Sequence, residues 1–293
     1  MLEYRSAIFI PGNQEKMLAK ASSLNADLIV FDLEDSVHPS EKETARKQVA
    51  AAINGLRPSQ KSVGVRINDL SSGLTLADLE AVLPAMPDLV MLPKVVLGED
   101  LVKIDAMLGA MEAKSNASFG SIKLITLTAE TPSSLFHFHS LMNVSDRLVG
   151  MTWGAEDLSV ALGATQNRDQ SGQWLSPFQL AQTFCLAKAR DLEVQAIDTV
   201  YADFKDLEGL REECIAAKQI GFTGKLAIHP NQLDIINEVF SPTEEEVEYA
   251  ERLVELFSEN KASAVFELDG RMVDTPHLLS AQRVIERLSL IHI

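Results

Sequence analysis

Short apolar runs alternate along the chain with longer segments in which apolar residues recur every three or four positions. The runs are SAIFIPG (6–12), DLIVFDLE (27–34), VGVRIND (63–69) and DLVMLPK (88–94), then IKLITLTAE (122–130), RLVGMTWGAED (147–157), EVQAIDT (193–199) and GKLAIHP (224–230). Most are continuous rather than strictly alternating, the pattern of strands buried on both faces. The intervening segments read as helices. Ser40 and Glu43 form a Ser-x-x-Glu capping box opening EKETARKQVAAAI, with Val49 and Ile53 on one stripe. Ser176 and Pro177 suit the N-cap and first position of SPFQLAQTFCLAKAR (176–190). Leu207, Leu210, Cys214 and Ala217 mark a further amphipathic helix over 207–220.

Eight strands, each followed by a helix and without a break between domains, predict an α/β fold, a (β/α)8 TIM barrel over residues 1–240. A doubly wound open sheet is the competing architecture; the strand count and the missing Gly-x-Gly-x-x-Gly turn weigh against it. From residue 241 the pattern changes. SPTEEEVEYAERLVELFSE reads as a capped acidic helix, AVFELDGRMVD as a small hairpin turning at Asp-Gly, and TPHLLSAQRVIERL as a closing helix. Residues 241–293 are therefore expected to form an appendage acting as a lid or subunit contact.

Composition narrows the partners. Lys and Arg total 26 against 42 Asp and Glu, a formal charge of −16. An acidic body is not drawn to nucleic acid or to an anionic membrane. Cys185 and Cys214 lie in helix-like segments without metal-type spacing, which suits buried thiols in a reducing, cytoplasmic setting. The opening MLEYRSAIFIPG is too quickly polar for a secretory signal. No apolar run approaches the roughly 20 residues of a membrane helix.

In a barrel of this type the C-terminal ends of all the strands open on one mouth, where chemistry is done. Here those ends read Pro11-Gly12-Asn13, Asp32-Leu33-Glu34-Asp35, Arg66-Ile67-Asn68, Pro93-Lys94, Glu130-Thr131, Glu156-Asp157, Asp198-Thr199 and His229-Pro230. The expectation is a ring of carboxylates about one cavity. Crowded carboxylates repel and need a proton, a cation or an Arg or Lys nearby. Oxygen ligands without a His or Cys cluster suit Mg²⁺, with Mn²⁺ as the alternative, rather than zinc. Arg66 adds a planar fork for a substrate carboxylate. Together these imply a small oxygen-rich acid held on a divalent ion beside an arginine. Plainer roles compete for single members. Asp35 suits a helix cap, Glu34 a support or an ion pair with Lys42 or Arg46, and His229 a packed turn residue rather than a base. His137 and His139 do not suit a metal pair, and Trp153 suits wall packing.

The stretches RSAIFIPGN, FDLEDSVHPSEKETAR, VRIN, LPKV, TAETPSSL, GAEDLSVALG, AIDTVYADFKDLEGL, GFTGKLAIHPNQLDIINEVFSPTEEE and DGRMVDTP span almost the whole sequence. As a set they resemble the citrate lyase β-subunit-like, or CoA ester lyase, branch of the HpcH/HpaI aldolase/citrate lyase superfamily. The resemblance implies a Mg²⁺-dependent carbon–carbon lyase acting on a 3-hydroxy-dicarboxylyl-CoA thioester of the malyl-, citramalyl- or methylmalyl-CoA kind. The products would be an acyl-CoA and an oxo acid. It places Glu130 and Asp157 as metal ligands, Arg66 on the substrate, and Asp274 as a general acid/base reaching a neighbouring subunit. It also places Arg5, Pro11, Gly12 and Lys16 at the substrate and CoA end, with Glu34, Asp35 and Glu156 supporting the site. A homo-oligomer, trimer or hexamer, with an active site shared through the appendage follows from the same resemblance. Two departures bear on substrate identity: Gln182 stands where many relatives carry Arg, and Thr-Pro-Ser-Ser follows Glu130. The alternatives are a malyl-CoA-type thioester hydrolase, a citrate lyase β subunit acting on a carrier-protein thioester, and a non-catalytic barrel. A Gly-rich anion loop, expected of a sugar-phosphate barrel, is absent after the last two strands.

Overall fold

The computed structural model describes residues 3–59, 61–142, 145–259 and 265–290. Eight parallel strands follow the eight apolar runs: β1 (Ser6–Pro11), β2 (Leu28–Asp32), β3 (Ser62–Arg66), β4 (Leu89–Leu92), β5 (Lys123–Thr128), β6 (Leu148–Trp153), β7 (Gln195–Asp198) and β8 (Gly224–Ala227). They pair in chain order, and β1 pairs β8 to close the barrel. The helices between them are α1 (Glu15–Leu18), α2 (Lys42–Leu56), α3 (Thr75–Val82), α4 (Gly98–Lys114), α5 (Pro132–His137), α6 (Ala155–Leu162), α7 (Ser176–Asp191), α8 (Leu207–Ile220) and α9 (Leu233–Phe240). The expected (β/α)8 barrel is thus the fold, with two helices after β6.

Strand side chains alternate between two cores. Ala7, Leu28, Val30, Leu89, Met91, Ile125, Leu127, Ile197 and Leu226 fill the barrel interior. Their neighbours, such as Ile8, Ile29, Val65, Val90 and Ala196, pack outward against helix residues Val49, Ile53, Leu79, Phe178 and Leu210. This period of two decides which strand-end residues reach the mouth. Asp32 continues the inward parity of Leu28 and Val30, and Arg66 that of Gly64. Asp198 and Lys225 continue the outward parity of Ala196 and Ala227.

Two helix starts differ from expectation. A single 3-10 turn, Pro39–Glu41, precedes α2, and the His38 side chain caps it by accepting the Ser40 amide. Ser40 instead hydrogen-bonds the His38 ring, so the Ser40–Glu43 capping box does not form. Leu175 takes the N-cap of α7, moving Ser176 and Pro177 one position into the helix. The expected stripes hold: Val49 and Ile53 are buried on α2, and Leu210, Cys214 and Ala217 on α8. Leu207 stays exposed because it follows the Asp206 cap at the open end of α8. Both thiols are buried, and burial pushes each up to about 12, which makes them inert packing groups.

Beyond α9 come α10 (Glu244–Glu259), β9 (Val265–Leu268), β10 (Arg271–Asp274) and α11 (Thr275–Leu290). Asp269 and Gly270, both at positive φ, make the hairpin turn. This segment has its own small core around Ala250, Leu253, Val273 and Ala281. Arg287 of α11 fastens it by donating to the Thr223 and Phe240 carbonyls and pairing with Glu3 at 2.7 Å. Thr223 precedes β8 and Glu3 precedes β1, so the anchor sits at the strand N-termini, away from the mouth. Among the described residues no helix is long and apolar enough to cross a membrane.

Candidate active site

Arg66 closes β3 and points inward at the mouth. Its Nε and one Nη donate to the two oxygens of Asp32 at 2.7 and 2.8 Å, a side-on bidentate pair. The other Nη lies 3.1 Å from Glu34. The guanidinium carbon sits 4.6 Å over the Phe9 ring. Asp32 also accepts the Glu34 and Ser36 amides. Burial raises the Asp32 carboxyl, but Arg66 and these donors outweigh it and hold the group below its ordinary value. Asp32 is therefore the residue that orients Arg66. It was visible at a strand end, but inward parity was needed to give it that task.

Glu130 follows β5 through Ala129, which takes positive φ. Thr131 then caps α5 by accepting the Ser134 amide, with Pro132 at the start of the helix. This turn lays the Glu130 side chain against Gly154, the N-cap of α6. A Cβ at position 154 would stand 2.5 Å from Glu130 Cγ and 2.9 Å from Oε1. Glycine at 154 is thus what makes room for the carboxylate. One Glu130 oxygen accepts the Lys94 amide in a short hydrogen bond; the other, Oε1, is buried without a hydrogen-bond partner among the described residues. Burial, with Glu34 nearby, pushes the Glu130 carboxyl up to about 8. Asp157 stands in the first turn of α6, more exposed, with Lys94 Nζ at 3.7 Å. Glu34, buried between Arg66 and Lys94, is pushed by burial to about 7 in spite of those two cations. Asp35 completes the group at 3.2 Å from Lys94 and 3.9 Å from Arg66.

These residues fit a divalent ion. An unpartnered buried carboxylate oxygen calls for a partner that the described residues do not supply. Asp157 is close enough to raise the Glu130 pKa. Among the described residues no group of three or more His, Cys, Asp or Glu is arranged to enclose an ion. Mg²⁺ does not need one: it takes one or two carboxylates and keeps water or substrate oxygens on its other positions. Glu130 and Asp157 would be those two.

Several expected members stand elsewhere. Glu156 hydrogen-bonds Asn167 on the surface, since consecutive residues of a helical turn point about 100° apart and only one of Glu156 and Asp157 faces the mouth. Arg5 precedes β1, at the opposite end of the barrel, where it grips Asp27 with its amide, Nε and Nη and donates to Ser241. Pro11 and Gly12 do lie at the mouth, Gly12 packed so closely on Asp32 and Val49 that a Cβ would meet them at 2.7 and 2.9 Å. Lys16 is exposed on α1. Asp198 faces outward and binds Trp153 Nε1, Lys225 and Gln182. That gives Trp153 a structural place and Gln182 a partner on the outward side of β7. His229 caps its own turn and stacks on Phe204. Asp274 pairs with His277, and no hydrogen bond or ion pair joins it to the mouth of its own chain among the described residues. Lys94, noted in sequence only as a strand-end residue, reaches the centre of the acids.

Gly154→Ala is expected to displace Glu130 and weaken Mg²⁺ binding at least about tenfold, at a stability cost of about 1–3 kcal/mol for overpacking. Calorimetric titration alongside a melting curve checks it; unchanged Mg²⁺ affinity contradicts the placement of Glu130.

Comparison with known proteins places the chain in a family. The HpcH/HpaI aldolase/citrate lyase family model matches residues 5–230. The chain is 34% identical over 293 residues to the mitochondrial citramalyl-CoA lyase of Rattus norvegicus, covering 96% of this chain and 85% of that one. It is 33% identical over 292 residues to the (3S)-malyl-CoA thioesterase of Cereibacter sphaeroides, covering 98% and 95%. The crystal structure of the protein CitE from Mycobacterium tuberculosis in complex with magnesium, acetoacetate and coenzyme A is 28% identical, with a TM-score of 0.75 over 97% of each chain.

Proposed function

The chain belongs to the HpcH/HpaI aldolase/citrate lyase family, and we propose that it acts as a lyase, cleaving a 3-hydroxy-dicarboxylyl-CoA thioester into an acyl-CoA and an oxo acid. The observation that carries this reading is the junction at one mouth of Glu130, with a bare buried oxygen, Asp157, and a guanidinium fixed by Asp32. Glu130 and Asp157 would hold a divalent ion, which when bound would supply Lewis-acid polarisation of the hydroxy-acid oxygens. Arg66 offers the remaining edge of its guanidinium, now shared with Glu34, to the substrate and to the oxygen on which charge develops. In the cleavage direction a base takes the 3-hydroxyl proton, the carbon–carbon bond breaks, and the hydroxyl carbon becomes the oxo acid's carbonyl. The bonding pair passes to the thioester as an enolate, which takes a proton at carbon to give the acyl-CoA. Asp274 of a neighbouring subunit is the residue we assign to that proton transfer, a reading supported by the match of DGRMVDTP to the family's C-terminal aspartate.

A hydrolytic reading has one observation in its favour, the likeness to a malyl-CoA thioesterase. The two readings part on products. Purified protein with Mg²⁺ and a panel of malyl-, citramalyl- and methylmalyl-CoA should release an oxo acid and a shorter acyl-CoA. Free CoA thiol with an intact hydroxy diacid would establish hydrolysis instead. Activity confined to a pantetheinyl-protein thioester would point to the carrier-protein alternative.

The raised carboxyls give the site a pH signature. Glu130 and Glu34 are protonated in the metal-free fold up to about 8 and about 7, well above the ordinary value of 4.5. Their contribution is therefore fully present below about 4.5 and is lost as pH rises through 7 and 8. Mg²⁺ must displace the Glu130 proton, so its binding strengthens over the same window. The melting temperature of metal-free protein should fall between pH 6 and 8.5, and the gain on adding Mg²⁺ should grow. A Mg²⁺ gain that is flat or shrinking with pH contradicts Glu130 as a ligand.

A further inference from the structure

We propose that Lys94 is a built-in counter-ion of the metal site, a positioning residue that holds the acids together in the metal-free protein and keeps the ion exchangeable. The inference rests on the reading that Glu130 and Asp157 take the ion. Lys94 touches all four acids around that place. Its amide donates to Glu130, and its Nζ lies 2.7 Å from Glu34, 3.2 Å from Asp35 and 3.7 Å from Asp157. It does so from φ +54, a conformation residues with a Cβ seldom adopt and one retained where the surroundings require it. One residue thereby turns its main chain to Glu130 while its side chain crosses to the opposite group of acids.

The charges at the mouth explain why such a residue is needed. Asp32 takes two of the Arg66 nitrogens and the third reaches Glu34 and, farther off, Asp35, which leaves Glu130 and Asp157 beside those acids without an arginine of their own. Without an ion, Arg66 also reaches Glu34 and Asp35, and among the described residues Lys94 is the cation that joins them to Asp157 and Glu130. With an ion, Asp157 exchanges a weak contact at 3.7 Å for coordination, while the 2.7 Å bond to Glu34 keeps Lys94 in place. The ammonium then stands beside a like charge and loosens the ion's hold.

Removing the ammonium therefore has opposite effects on the two states. Lys94→Met should lower the metal-free melting temperature by several degrees and tighten Mg²⁺ binding about tenfold, read by calorimetric titration. Lys94→Gly, whose backbone suits φ +54, serves as the second variant, since it deletes the charge without adding strain. Lys94→Arg should restore both the metal-free melting temperature and the weaker affinity. Mg²⁺ affinity unchanged or weakened in both Lys94→Met and Lys94→Gly overturns the proposal, because a purely structural lysine would not tighten the site when lost. Wild-type protein that binds no Mg²⁺ would undo the metal reading itself, a separate failure.

Discussion

Glu130→Gln and Asp157→Asn should each lower Mg²⁺-dependent turnover by about a thousandfold or more, roughly 4 kcal/mol of transition-state stabilisation, while the barrel stays folded. Two opposed effects make the Glu130 result diagnostic. The neutral amide keeps the shape of the acid but removes the charge that binds the ion. It also relieves a buried carboxyl whose ionisation the surroundings oppose, pushed up to about 8. The metal-free melting temperature of Glu130→Gln at pH 8.5 should therefore equal or exceed that of the parent protein, as activity disappears. Asp157 is more exposed and less burdened by burial, so Asp157→Asn should leave stability nearly unchanged. Steady-state kinetics with Mg²⁺ and a melting curve for each variant check both halves. Either variant retaining turnover within tenfold of the parent would remove that residue as a ligand.

The second large effect concerns Asp274. Asp274→Ala should reduce turnover by about 10² to 10⁴, the usual worth of a general acid/base, with little change in Mg²⁺ affinity. Within its own chain Asp274 meets His277, and the helix that follows is anchored by Arg287 at the strand N-termini. Sharing across subunits makes a sharp prediction. Protomers carrying Asp274→Ala, mixed equally with protomers carrying Glu130→Gln and allowed to reassemble, should recover activity in about a quarter of sites, those combining both intact halves. Arg66→Ala is a poorer partner for this test, since it strands Asp32, a nearly fully buried carboxylate, without its counter-charge. No recovery after verified exchange counts against a shared site.

The fold was legible because the barrel strands are largely buried runs and the longer helices, such as α2 and α8, carry apolar stripes, so local pattern and global architecture agree. The site was legible only in part. Strand ends name the residues near a mouth, but the parity of each strand decides which of them face it. Asp32 and Arg66 share the inward parity and lock together, whereas Asp198 lies one step out of phase and serves the layer between barrel and helices. Glu156 and Asp157 illustrate the same limit on a helix, where adjacent residues diverge. Arg5 precedes its strand rather than following it, which puts it at the other end of the barrel. Lys94 and Ala129 take positive φ without being glycine, so no local sequence signal marks the turns that bring Lys94 onto Glu130.

Anomalous diffraction from crystals equilibrated with Mn²⁺ tests the central claim most directly, since it locates the ion without reference to turnover. A single strong peak should lie about 2 Å from Glu130 Oε1 and from a carboxylate oxygen of Asp157, beside Arg66. A peak bound elsewhere, or none at that mouth at saturating Mn²⁺, would contradict it.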